Sequence, residues 1–145
     1  MVRRLFREYA AALDIDLRFQ DFESEVAELP GRYAPPAGRI LLAWDGGKVL
    51  GCVAMRRLDA THCEMKRLYV RPAGRGLGIG RRLATMVCAT ARAAGYDRVR
   101  LDTLPAMHAA HDLYASMGFR AVIPYVFNPI DGAQFLELHL SDSSE

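Results

Sequence analysis

Between Val2 and Leu13, apolar side chains recur at Val2, Leu5, Phe6, Tyr9 and Leu13, the spacing of one helix face. Phe22, Val26 and Leu29 repeat the pattern in a second helix expected from Phe19 to Leu29, which Pro30-Gly31 ends. The period then shortens. Ile40 to Trp44 and Lys48 to Met55 are short apolar runs on either side of Asp45-Gly46-Gly47, and they predict a β-hairpin. A turn at Leu58 to Ala60 leads into a third strand, His62 to Val70. Helical spacing returns at Ile79, Leu83, Met86, Val87, Thr90, Ala91 and Ala94, with Gly95 placed to end that helix. A strand from Asp97 to Leu104 follows. Pro105 opens a helix over roughly 106 to 117, and Gly118 closes it. Phe119 to Ile123 and Gln134 to Leu140 read as two last strands, joined by a loop holding Pro124, Asn128 and Pro129.

That order of elements predicts a mixed α/β (α+β) domain with a strand, a glycine-rich turn and a helix at its centre. At 145 residues, with no repeat or linker, the chain fits one domain, 1–145. A composition 51% hydrophobic and 25% charged is ordinary for a globular protein. No apolar run is long enough to span a membrane, and MVRRLFREYA is charged where a secretion signal would be apolar. The expected location is therefore cytoplasmic. Cys52, Cys63 and Cys88 have neither metal-ligand nor pairing spacing and are expected to be buried, reduced thiols. The SDSSE end is expected to be a polar, frayed tail.

Charge changes this picture. The net charge of +2 conceals a window, Met65 to Tyr96, with no acid and seven cations: Lys66, Arg67, Arg71, Arg75, Arg81, Arg82 and Arg92. At its centre stands VRPAGRGLGIGRRLA, with Gly74, Gly76, Gly78 and Gly80 within seven residues. Glycines let backbone approach a ligand closely, and a following helix presents uncapped N–H groups and positive dipole. Together these suit phosphate. A dedicated nucleic-acid module is disfavoured, because no aromatic residue lies between Arg71 and Arg92. The Walker A spacing is absent. The dinucleotide pattern G-x-G-x-x-G also fails, since its last position falls on Ile79, Arg81 or Leu83. The pattern that fits is R-x-x-G-x-G, from Arg75 to Gly80.

Preceded by EMKRLYVRP and followed by LDTLPAMHAAHDLYASMGFR, this stretch resembles the GNAT N-acetyltransferase superfamily over residues 39 to 140. The resemblance implies a mixed, mostly antiparallel sheet flanked by helices, with splayed central strands. It implies acetyl-CoA as co-substrate, its pantetheine arm along the backbone of Leu68, Tyr69 and Val70. Its pyrophosphate would lie on the N–H groups from Arg75 through Gly76, Gly78, Ile79 and Gly80 to Arg81. Tyr114, in the match Tyr-x-x-x-Gly-Phe ending at Phe119, would protonate the departing thiolate. Met107 stands where relatives often carry an asparagine that touches the cofactor. Family members usually begin with a strand ahead of the first helix. Here that edge strand is expected to be absent or cut short.

Transfer to an amine needs a neutral nitrogen. An alkylamine of pKa about 10.4 lies about 3 units above neutral pH, so deprotonation costs roughly 4 kcal/mol, whereas an α-amine near 8 costs about 1 kcal/mol. Glu64, four residues before Leu68, is the candidate base, with His62 or water as the alternatives; Glu64 reads equally as a strand carboxylate paired with Lys66 or Arg100. The alternative for Tyr114 is a core tyrosine beside Leu113 and Met117. His108 and His111 with Asp112 form no convincing metal motif, and no metal is expected. Glu137 or His139 could face the acceptor, and Tyr125, Phe127 and Asn128 could shape its pocket. The expected activity is acetyl transfer to a small-molecule or amino-acid-like amine. A silent acyl-CoA sensor and a protein or peptide acetyltransferase are the alternatives. No nucleic-acid or membrane partner is expected, and a homodimer is left open.

Overall fold

The computed structural model describes residues 1–13, 22–104, 107–125, 128, 130 and 132–140; Phe19, Pro105, Ala106, Phe127, Pro129, the SDSSE end and the His108 side chain lie outside the described residues. The elements are α1 (Val2–Leu13), α2 (Phe22–Ala27), β1 (Arg39–Asp45), β2 (Lys48–Arg57), β3 (His62–Val70), α3 (Ile79–Ala93), β4 (Arg98–Thr103), α4 (His108–Met117), β5 (Arg120–Val122) and β6 (Gln134–His139). They follow the order that the hydrophobic spacing predicts. The described part of the second helix is shorter than predicted, a single six-residue segment.

One six-stranded sheet runs β1-β2-β3-β4-β6-β5. Every pairing is antiparallel except β3 with β4, which the α3 crossover makes parallel. β2 is buried along nearly its whole length because both faces of the sheet are covered. Val53 and Met55 meet α3 and α4 in a core with Leu83, Val87, Leu101 and Phe119. Cys52 and Ala54 face the other way, toward Leu5, Phe6, Phe22, Val26 and Tyr33. Leu5 and Phe6 are fully buried, and each such side chain contributes roughly 1.5–3 kcal/mol. This second core fastens α1 and α2 across the sheet.

The three cysteines are free and buried, and burial pushes their thiols up, that of Cys88 to about 11. Among the described residues no helix is long and apolar enough to cross a membrane.

Two irregularities of β3 position the site. Its pairing with β4 runs only from His62↔Arg98 to Glu64↔Arg100, although β3 continues to Val70 and β4 to Thr103. The strands therefore fork. On its other side β3 carries a bulge, because the partner of Lys66 is Ala54 and that of Tyr69 is Cys52. Arg67 sits in the bulge at φ 61, a left-handed conformation that a non-glycine residue seldom adopts. Its guanidinium chelates the Glu25 carboxylate at 2.9 and 3.0 Å and lies 5.2 Å from the Phe22 ring centroid. Arg67 is 2% exposed, so the pair is a buried anchor between α2 and the bulge.

Candidate active site

The fork opens into a cleft of about 620 Å³ lined by Leu68, Tyr69 and Val70 of β3, the glycine turn, Met107 and the α4 residues Ala110 and Leu113. Beyond Glu64 the β3 edge that faces β4 has no strand partner, so its backbone groups are available to an extended ligand arm. Arg75, Gly76, Gly78, Ile79, Gly80 and Arg81 line the same cleft. The structure thus brings together every residue that the sequence assigned to the cofactor.

The glycine turn has a division of labour. Gly74 is a packing glycine: a Cβ there would meet Ile79 Cδ1 at 3.0 Å and Leu50 Cβ at 3.1 Å. Gly76 (φ 81) and Gly78 (φ 75) are left-handed, and a Cβ on either would meet nothing within 4 Å. Their freedom is needed for backbone shape, and the space beside them faces the cleft rather than the core. Gly78 is the N-cap of α3 and supplies no side-chain cap, and the first turn of α3 holds no acid. It holds Arg81 and Arg82 instead. A helix start usually gathers acids, so this one is built to meet an anion from outside the chain. A phosphate-bearing ligand fits these residues.

The basic window divides into two groups, which its charge count could not reveal. Arg71 chelates Glu8 of α1 at 3.0 and 2.9 Å, Arg67 is taken by Glu25, and Arg92 donates to the Leu140 carbonyl at 3.3 Å. Lys66 is buried within the sheet. Only Arg75, Arg81 and Arg82 stand exposed around the glycine turn, and Arg81 reaches Ser116 Oγ of α4 at 2.5 Å. Two of the seven cations, Arg71 and Arg67, therefore fasten α1 and α2 to the sheet.

A second, smaller cavity of about 20 Å³ lies at the vertex of the fork, lined by Tyr9, Met65, Lys66, Arg67, Leu68, Leu101, Asp102, Met107 and Tyr114. It is large enough for one water molecule or one amino group. Tyr9, Leu68 and Met107 line both cavities. Tyr114 is 4% exposed, packed against Phe119 with ring centroids 5.4 Å apart. Burial raises its phenol above the usual range, so the hydroxyl keeps its proton at neutral pH. It is at once a core tyrosine and a wall of the vertex cavity.

Glu64 is the last paired residue before the fork, yet it is fully buried. One carboxylate oxygen accepts from Arg56 Nε at 2.8 Å and the other from the Tyr125 hydroxyl at 2.9 Å. Burial opposes its charge, but Lys66 and Arg56, with those hydrogen bonds, more than offset this and hold it below the usual carboxylate range. In this arrangement Glu64 has no open path to an acceptor; it anchors Arg56 and the Tyr125 loop. His62 lies on the closed side of the fork, Nδ1 at 2.9 Å from Asp59 and Nε2 at 3.8 Å from Glu137. Glu137 is occupied by Arg100 at 2.7 Å and His139 at 3.0 Å. From the late loop, Tyr125 and Asn128 do reach the fork, Asn128 by donating to Asp102 at 3.1 Å. Asp102 also lines the vertex cavity, and the sequence did not single it out. Its one signal is position: it closes the alternation Arg98, Arg100, Asp102 on the face of β4 opposite the buried Val99, Leu101 and Thr103. Among the described residues no cluster of His, Cys, Asp and Glu is arranged to hold a metal ion.

The Glu64 environment makes a stability prediction. A carboxylate with a depressed folded pKa contributes stability above its unfolded value, about 4.3, and loses it as pH falls through the folded value. Glu64→Gln is expected to cost about 3–5 kcal/mol at pH 7, because Arg56 and Lys66 lose a buried counter-charge. In urea unfolding that deficit should shrink as pH is lowered toward 3. An unchanged deficit at low pH would show that packing, not charge, is the source.

Comparison with known proteins agrees with this geometry. The acetyltransferase (GNAT) family model matches residues 2–119. An N-acetyltransferase of Schizosaccharomyces pombe is 40% identical over 141 residues, covering 96% of this chain and 86% of that protein. Among solved structures, a GNAT-family acetyltransferase of Staphylococcus aureus superposes with TM-score 0.79 at 22% identity, over 95% of this chain and 92% of that one. A GNAT acetyltransferase of Elizabethkingia anophelis solved with acetyl-CoA bound superposes with TM-score 0.62 at 23% identity, over 72% of this chain and 77% of that one. The chain belongs to the GNAT acetyltransferase family.

Proposed function

We propose that the chain transfers the acetyl group of acetyl-CoA to the amine of a small, amino-acid-like acceptor. The observation that carries this reading is the alignment, along one cleft, of an unpaired β3 edge, two left-handed glycines and an uncapped helix start. In this reading Leu68, Tyr69 and Val70 hold the pantetheine arm as a neighbouring strand would. The N–H groups from Gly76 to Arg81 take the pyrophosphate. Exposed Arg75, Arg81 and Arg82 meet the remaining phosphate charge. Bound acetyl-CoA would supply an activated thioester carbonyl. Tyr114 is the general acid: its hydroxyl, kept protonated by burial, hydrogen-bonds the sulfur as charge grows there and passes it a proton. Glu64 keeps a positioning role through Arg56 and Tyr125.

The vertex cavity is too small for more than the amine itself, so the remainder of the acceptor lies outside it. Three buried free cysteines favour a reducing, cytoplasmic setting.

The reading is tested by calorimetric titration of acetyl-CoA beside dephospho-CoA. Acetyl-CoA is expected to bind, and dephospho-CoA more weakly, because it lacks one phosphate for the exposed arginines. Equal affinity for the two would mean that Arg75, Arg81 and Arg82 meet no phosphate beyond the pyrophosphate.

A further inference from the structure

Just past the last rung of the fork, Glu64↔Arg100, the same face of the sheet carries Lys66 on β3 and Asp102 on β4, each two residues further along its strand. Both line the vertex cavity beside Tyr114. Glu64, the other carboxylate of the fork, has both oxygens bonded and no exposure. Asp102 differs in each respect. It is half-buried rather than sealed, and among the described residues Asn128 alone hydrogen-bonds it, through Oδ2. Among the described residues Oδ1 has no hydrogen-bond partner. The cavity between Asp102, Lys66 and Tyr114 has the size of one amino group or one water.

We propose that Asp102 is the general base of the reaction, binding the acceptor ammonium in the vertex cavity and taking its proton directly or through one water. This rests on the acetyltransferase reading above. In balance, the ammonium gives one proton to the Asp102 carboxylate and keeps a lone pair. That lone pair forms the C–N bond to the thioester carbonyl carbon, and the C–S bond breaks. The second proton, shed as the amide forms, reaches the sulfur through Tyr114, and Asp102 returns its own proton to solvent. The products are the acetamide and the free thiol.

The groups facing Asp102 fit this task. Lys66 and the bulge residue Arg67 approach from β3, Arg100 stands two residues away on β4, and the phenols of Tyr9, Tyr114 and Tyr125 approach from α1, α4 and the late loop. The phenols, raised by burial, stay neutral and do not compete for the proton. Asn128 fixes one oxygen and so orients the other.

The test compares Asp102→Asn with the wild type across pH, following thiol release from acetyl-CoA. The acceptors are a panel of primary alkylamines and α-amino acids, and hydroxylamine, whose nitrogen is already neutral at pH 7. For acceptors that are ammonium ions at pH 7, kcat/KM should fall about 100-fold, at the low end of general-base losses. The deficit should close as pH rises toward the amine pKa, and hydroxylamine should lose less than about 3-fold by the same argument. The Kd of acetyl-CoA should not move. Asp102→Glu should recover much of the rate, and Asp102→Ser, at a half-buried position, reads the same loss should Asp102→Asn fail to fold by circular dichroism. A loss equal for both acceptor types and independent of pH would make Asp102 structural and overturn the proposal, as would a full-rate Asp102→Asn enzyme. A wild-type chain that binds acetyl-CoA yet acetylates none of the panel overturns the transferase reading, and the proposal with it.

Discussion

Gly78→Val should lose at least about 100-fold in acetyl-CoA affinity, a free-energy change of about 2.7 kcal/mol, while the domain stays folded. Two effects act together. At φ 75 a β-branched residue is strained by about 1–3 kcal/mol, so the N-cap of α3 must shift to relieve it. That shift moves the N–H groups that converge on the phosphate. The new side chain also projects into the cleft, since no protein atom lies within 4 Å of the added Cβ. The same emptiness is why the fold survives: nothing in the core is displaced. Gly74→Ala is the contrasting case. Its Cβ would press on Ile79, Leu50 and Val70 at 3.0–3.2 Å, so it should cost stability first and affinity second. Thermal melts and ligand titrations of the two variants separate the roles. A Gly78→Val protein that is folded and binds acetyl-CoA normally would remove the phosphate from this turn.

Tyr114→Phe should lower kcat by about 10²–10⁴ with little change in acetyl-CoA affinity. The ring packs on Phe119 within the α3–α4 core, and phenylalanine keeps that packing. What is lost is the hydroxyl at the vertex cavity. The deficit should shrink for an acyl donor with a more acidic thiol, because a better leaving group needs less help. Measuring kcat for both donors in both proteins gives the comparison. A deficit of the same size for both donors would place the effect on packing. A full-rate variant would leave Tyr114 as a core tyrosine and assign the proton to water.

Much of this architecture was legible in the sequence, for local reasons. The bounds of β3, His62–Val70, follow from a run of strand-forming residues between a turn and Pro72. Gly95 and Gly118 adopt the positive φ expected past helix ends, 95° and 98°. That Leu68 to Val70 and the glycine turn line one cleft was legible because they form one continuous stretch, β3 to α3. What escaped is long-range. Arg67 pairs with Glu25 across 42 residues, and Tyr125 with Glu64 across 61. No periodicity encodes such partners. The bulge at Arg67 is set by register against β2, and neither strand shows it alone. The surroundings of Glu64 and Asp102 were hidden for the same reason. Both are strand acids; Glu64 is sealed by Arg56 of β2 and Tyr125 of the late loop, while Asp102 meets Asn128 and stays half-buried. The seven cations were countable, but their division between α1–α2 anchoring and the glycine turn depended on acids at Glu8 and Glu25, far up the chain.

The central claim, that the forked cleft and glycine turn bind acetyl-CoA, is tested most directly by the calorimetric titration. Saturable binding is expected, with dephospho-CoA weaker than acetyl-CoA. At 100 times Kd the ligand should also add about 2.7 kcal/mol of stability to the domain. Absence of any heat or thermal shift at millimolar acetyl-CoA would contradict the account.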